Sequence, residues 1–376
     1  MEATEKTQTK RLYSLDALRG FDMFWIMGGE GIFTGLATLT GWPVFQWWAG
    51  QLEHVPWHGF HFYDMIFPMF LFIAGISFPF SLAKRTASNE SRKLIYRHVI
   101  MRGLILVVLG IIYNNLGAIV HLKFSNLRYG SVLGRIGLAW MFAALIFMNT
   151  KLSFRVIWFC ALLLGYWFLL LLFPAHDLGS TDIFSREGNL TSYIDRLIMP
   201  GRLYLGNHDP EGILSTIPAI STALLGMFTG EFLMSQYMKQ KPLRKGLYLA
   251  LAAVCLMIIG QLWNLVFPIN KNLWTSSFVC FVGGLSLLLF TLFYLIIDVW
   301  NYRKWAFFFV VIGMNPITIY LAGRIVNLHV VSKFLLGWFI TFIPEVWSPF
   351  LYGIVITAIA WLFLYILYRR KIFLKI

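Results

Sequence analysis

The chain has 376 residues, of which 59% are apolar and 13% charged, with a formal net charge of +14 and a mean hydropathy of +0.70. Soluble domains carry about 25% charged residues, so this composition excludes an ordinary soluble protein and indicates an integral membrane protein. Apolar stretches of roughly 20 residues suit spanning helices rather than barrel strands. They use most of the chain, so we expect one transmembrane domain over 1–376.

The hydropathy pattern predicts an all-α polytopic membrane protein with a bundle of about ten transmembrane helices. They fall near 15–36, 60–83, 97–119, 131–149, 154–173, 211–237, 246–267, 274–298, 305–327 and 349–368. The segment 329–348 contains an apolar stretch too short to span and is predicted to be an interfacial or re-entrant helix. If that segment crosses the membrane, the carboxyl terminus changes sides. Asn315 precedes Pro316 inside a span, which indicates a kink.

Lysine and arginine give this bundle an orientation, because cytoplasmic loops carry an excess of both residues. With ten spans counted, the basic loops fall on one side: 6–11, 84–97, 151–155, 239–245, 303–304 and 369–375. Both termini are therefore expected in the cytoplasm. The charge of +14 is then a topology signal, and no nucleic-acid partner is expected.

Two long loops, 37–59 and 174–210, are predicted on the opposite side. The first is aromatic and includes Trp57, and the second is polar and leads into Asp209 and Glu211. Aromatic rings and acids are typical of sugar-binding surfaces. Tryptophans there are also typical interfacial anchors, and acids at a helix start complement its dipole, so both interpretations stay open.

Ionisable residues inside the first span are unusual, because charge beside hydrocarbon is costly. Asp16 and Arg19 are three residues apart, so they share a helix face and are predicted to pair near the inner surface. Glu30 lies at the outer end among glycines with no cation within one helical turn. A functional and a structural role are equally open for Glu30.

Histidines and a carboxylate come together at the start of the second span. His54 lies in the preceding loop, and His61 and Asp64 are three residues apart in a helix expected from Gly59 onward. Zinc is one use of such a set, but helix-registered motifs such as H-E-x-x-H are absent, so no metal site is predicted. A neutral imidazole can accept a proton near pH 7, and a carboxylate would fix its tautomer. We therefore predict His54 as a general base with Asp64 as its partner; an interfacial histidine without catalytic role is the alternative.

Seven short segments spread along the chain, in order, carry a resemblance to one family. They are RLYSLDALRG at 11–20, the Trp57-x-Gly59 and Asp64-x-x-Phe67-Pro68 motifs, YIDR at 193–196 with DPEGIL at 209–214, NKNLW at 270–274, and YRRKIFLKI at 368–376. The chain resembles the heparan-α-glucosaminide N-acetyltransferases. The lysosomal member has an additional N-terminal region and span, so the resemblance implies a shorter, bacterial-type member, which we expect in the bacterial inner membrane.

The resemblance implies acetyl transfer from cytoplasmic acetyl-CoA to the amine of a terminal glucosamine on the other side of the membrane. The catalytic histidine of the family precedes the Trp-x-Gly motif by three residues, which is His54 here, and Glu30 stands where the family has an asparagine. The implied CoA-binding arginines are Arg11, Arg19 and Arg102, with Arg135 in a similar motif near the outer half.

The phosphates of CoA are expected to bind arginines on the basic side of the membrane. The pantetheine arm would then extend through the protein and place the thioester near His54. His54 then either removes a proton from the amine or is itself acetylated first. Asp64 and Glu30 complete the predicted catalytic set. The residues predicted for the acceptor are Trp57, Asp209, Glu211, Asn272 and Asn315.

Two other functions share parts of this pattern. An O-acyltransferase of cell-surface polysaccharide would use the same donor. A secondary transporter for sugars would explain many spans with intramembrane charges, but it predicts inverted repeats that the sequence does not display. The expected partners are acetyl-CoA as co-substrate, an amino-sugar or oligosaccharide acceptor, the lipid bilayer and, where the chain self-associates, a second copy in a homodimer.

Overall fold

The computed structural model describes residues 12–124, 126–235 and 241–374, and in these ranges the chain is helical apart from connections and one isolated bridge. The helices are α1 Tyr13–Phe24, α2 Glu30–Thr40, α3 Pro43–Gln51, α4 Ile66–Ala87, α5 Arg92–Val120, α6 Val132–Asn149, α7 Leu152–Leu172, α8 Leu190–Ile198, α9 Thr216–Met234, α10 Pro242–Asn264, α11 Ser276–Phe293, α12 Ala306–Gly313, α13 Pro316–Ile325, α14 Leu328–Ile340 and α15 Ser348–Arg369.

Eight helical segments in the described residues are long and apolar enough to cross a membrane. They are Phe62–Ala87, Arg92–Val120, Val132–Asn149, Leu152–Leu172, Thr216–Met234, Pro242–Asn264, Ser276–Val299 and Glu345–Arg369. The bent pair α12 and α13 makes a ninth if it is one span. The fold class predicted from the sequence is confirmed: the chain is an all-α, multi-pass membrane protein.

The predicted first span differs most from a simple helix. A π-helical turn, Trp25–Gly29, joins α1 to α2, and inside it Gly28 has a φ of 145°. Only glycine adopts that conformation without strain, and a Cβ at Gly28 would also lie 2.6 Å from Oγ1 of Thr357. The π turn therefore redirects the chain within the bundle and brings Glu30 against α15.

The predicted kink at Asn315 is confirmed. The axes of α12 and α13 differ by 68° at this break, because Pro316 cannot supply the backbone N–H that a continuous helix needs. The short apolar helix predicted in 329–348 is also present, as α14.

Small residues let the central helices approach closely. A Cβ added to Gly20 of α1 would lie 1.7 Å from the carbonyl oxygen of Phe309, and one added to Gly75 of α4 would lie 2.3 Å from that of Ala223. Such backbone contact is how helices pack tightly in lipid, where burial of apolar surface gives little driving force. The result is a fixed frame for the groups at the two ends of the bundle.

The two ends of the bundle differ in composition. One end, which we call the basic end, joins α4 to α5, α6 to α7 and α11 to α12; there Arg155 pairs with Glu231 at 2.7 Å. At the other end, which we call the loop end, the connections 41–61, 121–131, 173–215 and 265–275 meet. Trp57 Nε1 donates to the carbonyl oxygen of Phe184 at 2.8 Å. The backbone N–H of Gly59 donates to the carbonyl oxygen of Ile269, also at 2.8 Å.

Candidate active site

The carboxylate of Asp64 holds His54 at the loop end. Asp64 lies in a 3-10 turn, Phe62–Met65, that precedes α4, so the helix predicted from Gly59 in fact begins at Phe62. The Asp64 side chain is 2% exposed, and its Oδ1 is 2.8 Å from Nδ1 of His54. Its Oδ2 accepts the backbone N–H groups of Val55 and His61 at 3.3 and 3.0 Å.

This contact determines which nitrogen of the His54 ring carries the proton when the ring is neutral. The buried carboxylate accepts a hydrogen bond from Nδ1, so a neutral imidazole keeps its lone pair on Nε2. The His54 side chain is 52% exposed and therefore accessible to a substrate. His61 contributes its backbone rather than its ring to Asp64; its Nδ1 lies 3.0 Å from the carbonyl oxygen of Glu53.

Lys271 is the third member of what we call the His54 site, which consists of His54, Asp64 and Lys271. Its Nζ lies 3.0 and 3.1 Å from the two ring nitrogens of His54 and 3.4 Å from Oδ1 of Asp64. Burial lowers the pKa of Lys271. The negative charge of Asp64 raises this pKa but does not outweigh burial. Sequence reasoning missed this lysine, since 217 residues separate it from His54.

The turn that carries Lys271 is rigid. Oδ1 of Asn270 accepts the backbone N–H of Leu273 at 2.9 Å, and Trp274, with a φ of 53°, closes the turn before α11. Asn272, which was predicted for the acceptor, is the next residue in this turn and is partly exposed. Its role stays a prediction.

Glu30 approaches the His54 site through a tyrosine. The Tyr63 hydroxyl lies close enough to the Glu30 carboxylate to interact with it, and the centre of the Tyr63 ring lies 4.9 Å from that of His54. Glu30 also lines a cavity of about 750 Å³ between α2, α13 and α15. The structure therefore brings together all three residues predicted for catalysis, with Tyr63 between two of them.

Asp209 and Glu211 form an ion-pair cluster with Arg128. The guanidinium donates from Nε and Nη2 to Asp209 at 2.9 and 2.7 Å and also binds Glu211. Burial favours a lower pKa for Arg128, but the hydrogen bonds and charges of the two acids raise it. Burial likewise favours a higher pKa for Asp209, and Arg128 lowers it. The following helix begins at Thr216 rather than at Glu211, so these acids bind an arginine instead of the helix N-terminus.

Arg135 lies at the loop end as well. Its Nη2 donates to the carbonyl oxygen of Gly212 at 3.3 Å and to Ser215 Oγ, and the guanidinium lies 5.0 Å from the centre of the Trp274 ring. These contacts give Arg135 the partners that an intramembrane arginine requires. They also separate it from the other arginines that the resemblance assigned to CoA.

Trp57, another residue predicted for the acceptor, packs against a buried histidine. Its ring centre lies 5.2 Å from that of His208, whose Nδ1 lies 2.8 Å from Ser192 Oγ. Burial lowers the pKa of His208 to about 3, so the ring is neutral. Nearby, burial raises the pKa of Asp195 to about 7. The second oxygen of Asp195, Oδ2, has no hydrogen-bond partner among the described residues.

The other predicted donor residues lie towards the basic end. Arg19 donates to Asp16 at 3.4 Å, as predicted, and to Ser77 Oγ at 3.2 Å. Arg102 stacks on Trp140 with its guanidinium 4.4 Å from the ring centre, and it lies close enough to Arg19 and to Arg85 for their charges to repel. Arg11 falls outside the described residues.

Asn315 is remote from the other residues predicted for the acceptor. Its Nδ2 donates to the carbonyl oxygen of Ile372 at 2.9 Å, and its Oδ1 accepts the backbone N–H of Leu374 at 3.0 Å. The structure thus places Asn315 with the carboxyl-terminal segment. Over 12–124, 126–235 and 241–374, no group of three or more His, Cys, Asp or Glu residues is arranged to hold a metal ion.

Comparison with known proteins adds a relationship over nearly the whole chain. No family model matches. The heparan-alpha-glucosaminide N-acetyltransferase of Homo sapiens is 27% identical over 97% of this chain, and that of Mus musculus is 26% identical over 99%. The chain spans 60% and 62% of the lengths of these two relatives.

Proposed function

We propose that the chain transfers an acetyl group from acetyl-CoA to the amine of a terminal glucosamine or a related amino sugar, because nearly its whole length is similar to two heparan-alpha-glucosaminide N-acetyltransferases. The observation that carries this proposal is the His54 site, an accessible imidazole oriented by a buried carboxylate. This site lies at the end of a membrane bundle opposite to the basic loops. The proposal places the basic end in the cytoplasm and the His54 site on the far side.

Acetyl-CoA would bind at the basic end. Arg19, Arg85 and Arg102 lie near one another, and clustered like charges are stabilised by a polyanion such as the phosphates of CoA. Arg11, from the segment preceding the described residues, is proposed to join them. A basic site on this side takes the nucleotide part of the donor without moving it across the bilayer.

The acyl arm of the donor must then cover the depth of the bundle. Arg19 contacts Ser77, and Ser77 lies thirteen residues from Asp64 in one helical segment, which corresponds to roughly 20 Å. One helical turn from Arg19, Asp22 is fully buried, and neither of its carboxylate oxygens has a hydrogen-bond partner among the described residues. We propose that Asp22 accepts hydrogen bonds from amide groups of this arm.

At the His54 site, the amine nitrogen attacks the thioester carbonyl carbon and forms the amide bond as the carbon–sulfur bond breaks. The proton lost by nitrogen passes to Nε2 of His54 and then to the departing thiolate. Asp64 stabilises the ring while it carries that proton. Lys271 is placed to donate a hydrogen bond to the carbonyl oxygen as negative charge develops on it. Glu30 is proposed to bind the acceptor.

The test is His54→Ala in the purified protein. We expect kcat for acetyl transfer to methyl glucosaminide to fall by about 10²- to 10⁴-fold. Thermal stabilisation by acetyl-CoA should persist, because the donor arginines are untouched. His61→Ala is the matched control and should keep its activity. Full activity of His54→Ala removes His54 from the mechanism, and stabilisation by free sugar but not by acetyl-CoA favours a transporter instead.

Two further measurements separate the remaining routes. Incubation with radiolabelled acetyl-CoA in the absence of acceptor labels the protein at His54 only if the histidine is acetylated first. Comparison of methyl glucosaminide with methyl glucoside distinguishes amine from hydroxyl acceptors. Transfer to the glucoside at an equal rate would favour the O-acyltransferase alternative.

A further inference from the structure

The cavity of about 750 Å³ beside Glu30 is larger than a catalytic carboxylate requires. Its walls come from α1, α2, α5, α13, α14 and α15, and we call it the lateral cavity. The side chains that line it include Glu30, Tyr113, Tyr320, Arg324 and Tyr352. Tyrosines together with an acid and an arginine are the composition of a site for a polar, ring-shaped ligand.

The lateral cavity reaches the His54 site through one side chain. Glu30 lines the cavity and lies beside the hydroxyl of Tyr63, whose ring packs on His54. A sugar that enters the cavity beside Glu30 therefore has only Tyr63 to pass before its amine reaches Nε2 of His54.

Buried polar groups around the cavity lack partners within the described residues. Trp25 lines the wall, and its Nε1 makes no hydrogen bond. Oγ1 of Thr357, which would lie 2.6 Å from a Cβ added to the cavity-lining Gly28, is also without one. Buried donors and acceptors are nearly always satisfied in folded proteins, so these two atoms indicate a polar ligand or water in the lateral cavity.

The mouth of the cavity is apolar on one edge and polar on the other. Ile26 and Ile325 are 38% and 73% exposed, whereas Arg324, Asn327 and His329 form the polar edge. The adjoining α14 exposes further apolar side chains: Phe334, Leu335, Trp338 and Phe339. In a membrane bundle an exposed apolar surface faces lipid, and the polar edge suits the level of the headgroups.

We propose that the lateral cavity admits an amino sugar carried on a membrane lipid, whose hydrocarbon chain stays in the bilayer while the sugar enters with its amine towards Glu30. The inference rests on the proposed function for the fate of that amine. It assigns the acceptor a class, an amphiphile that arrives sideways from the lipid phase rather than a soluble saccharide.

The test compares dodecyl glucosaminide with methyl glucosaminide in lipid nanodiscs. Gly323 lines the cavity, and a Cβ added there would have no heavy atom within 4 Å, so Gly323→Phe is designed to add a ring at the cavity wall. Gly337 also has open space but does not line the cavity, so Gly337→Phe is the matched control. Both variants are assayed for acetyl transfer and for binding of tritiated dodecyl glucosaminide.

We expect the parent protein to have a KM for the dodecyl acceptor at least about tenfold lower than for the methyl acceptor. Gly323→Phe should raise that KM and weaken dodecyl binding about tenfold, whereas Gly337→Phe should change neither. Equal KM values for both acceptors, with binding unaffected by Gly323→Phe, would overturn the lateral entry and leave acetyl transfer standing. Cavity-dependent binding without transfer to any amine would support the amphiphile site and overturn the proposed function.

Discussion

The loop end and the basic end differ in how their arginine and lysine side chains are paired with acids. At the loop end, Arg128 binds two carboxylates and Lys271 lies 3.4 Å from a third. At the basic end, Arg19 pairs with Asp16 and Arg85 with Glu90, while Arg102 faces the ring of Trp140 and has its Nε without a hydrogen bond among the described residues.

This difference indicates what each end is built to bind. A network whose charges are already paired is ordered before a substrate arrives, and it orients a reactive group. An arginine such as Arg102, which stacks on a ring and has no acidic partner among the described residues, gains most from an added anion. The predictions below test this contrast, beginning with the largest expected effect.

Asp64→Asn probes orientation at the loop end. We expect kcat to fall by about 10³- to 10⁴-fold with the fold intact, because an amide can hold the imidazole in the wrong tautomer. Steady-state acetyl transfer measures the change, and Glu53→Gln, at an exposed acid of the same loop, is the control. A kcat like that of the parent would show that Asp64 only shapes the turn.

Arg128→Ala probes pairing at the same end. Two buried carboxylates would lose their cation, so we expect the free energy of unfolding to fall by about 3–5 kcal/mol. Arg85→Ala, which breaks a partly exposed pair at the basic end, should cost about 1 kcal/mol or less. Reversible unfolding in detergent compares the two; similar losses would contradict the contrast between the ends.

Asp195 makes stability depend on pH. Its pKa is raised to about 7 in the folded protein, so between the pKa of the unfolded chain and pH 7 the folded state holds a proton that the unfolded state has lost. Stability should therefore fall by up to roughly 1.4 kcal/mol per pH unit as the pH rises through this window, and level off above pH 7. Melting temperatures from pH 5 to 8 should show this slope in the parent and a flatter profile in Asp195→Asn.

Arg102→Ala probes the basic end and has the smallest expected effect. We expect KM for acetyl-CoA to rise about tenfold with little change in kcat, since one of several cations is lost. Arg97→Ala, at an exposed position on α5, should leave KM near the parent value. An unchanged KM in Arg102→Ala would place the nucleotide elsewhere.

Hydropathy was sufficient for the eight long spans, and helical spacing for the local ion pair, but two of the ten predicted spans are bent or interrupted. α5 and α15 lie close to their predicted ranges, and the Asp16–Arg19 pair follows from helical spacing. The contacts of Lys271 and Arg128 join segments far apart in the chain, which no local pattern specifies. In the sequence, the closeness of Asp209 and Glu211 is the feature that indicates a cationic partner, but it does not identify Arg128 as that partner.

The first span was harder for the same reason. Its hydropathy predicts one helix, but the π turn at Trp25–Gly29 depends on what Gly28 meets on α15. The tertiary contact, not the local sequence, decides where the helix axis changes.

The clamp made by Asn315 has a practical consequence for work with this protein. Its amide bonds to backbone atoms of Ile372 and Leu374, so the residues after α15 hold the joint between α12 and α13. Cutting the chain after Lys371 would remove the partners of both amide atoms. We expect α13, which lines the lateral cavity, to be held less firmly as a result. An affinity tag should therefore extend the chain beyond 374 instead of replacing its last residues.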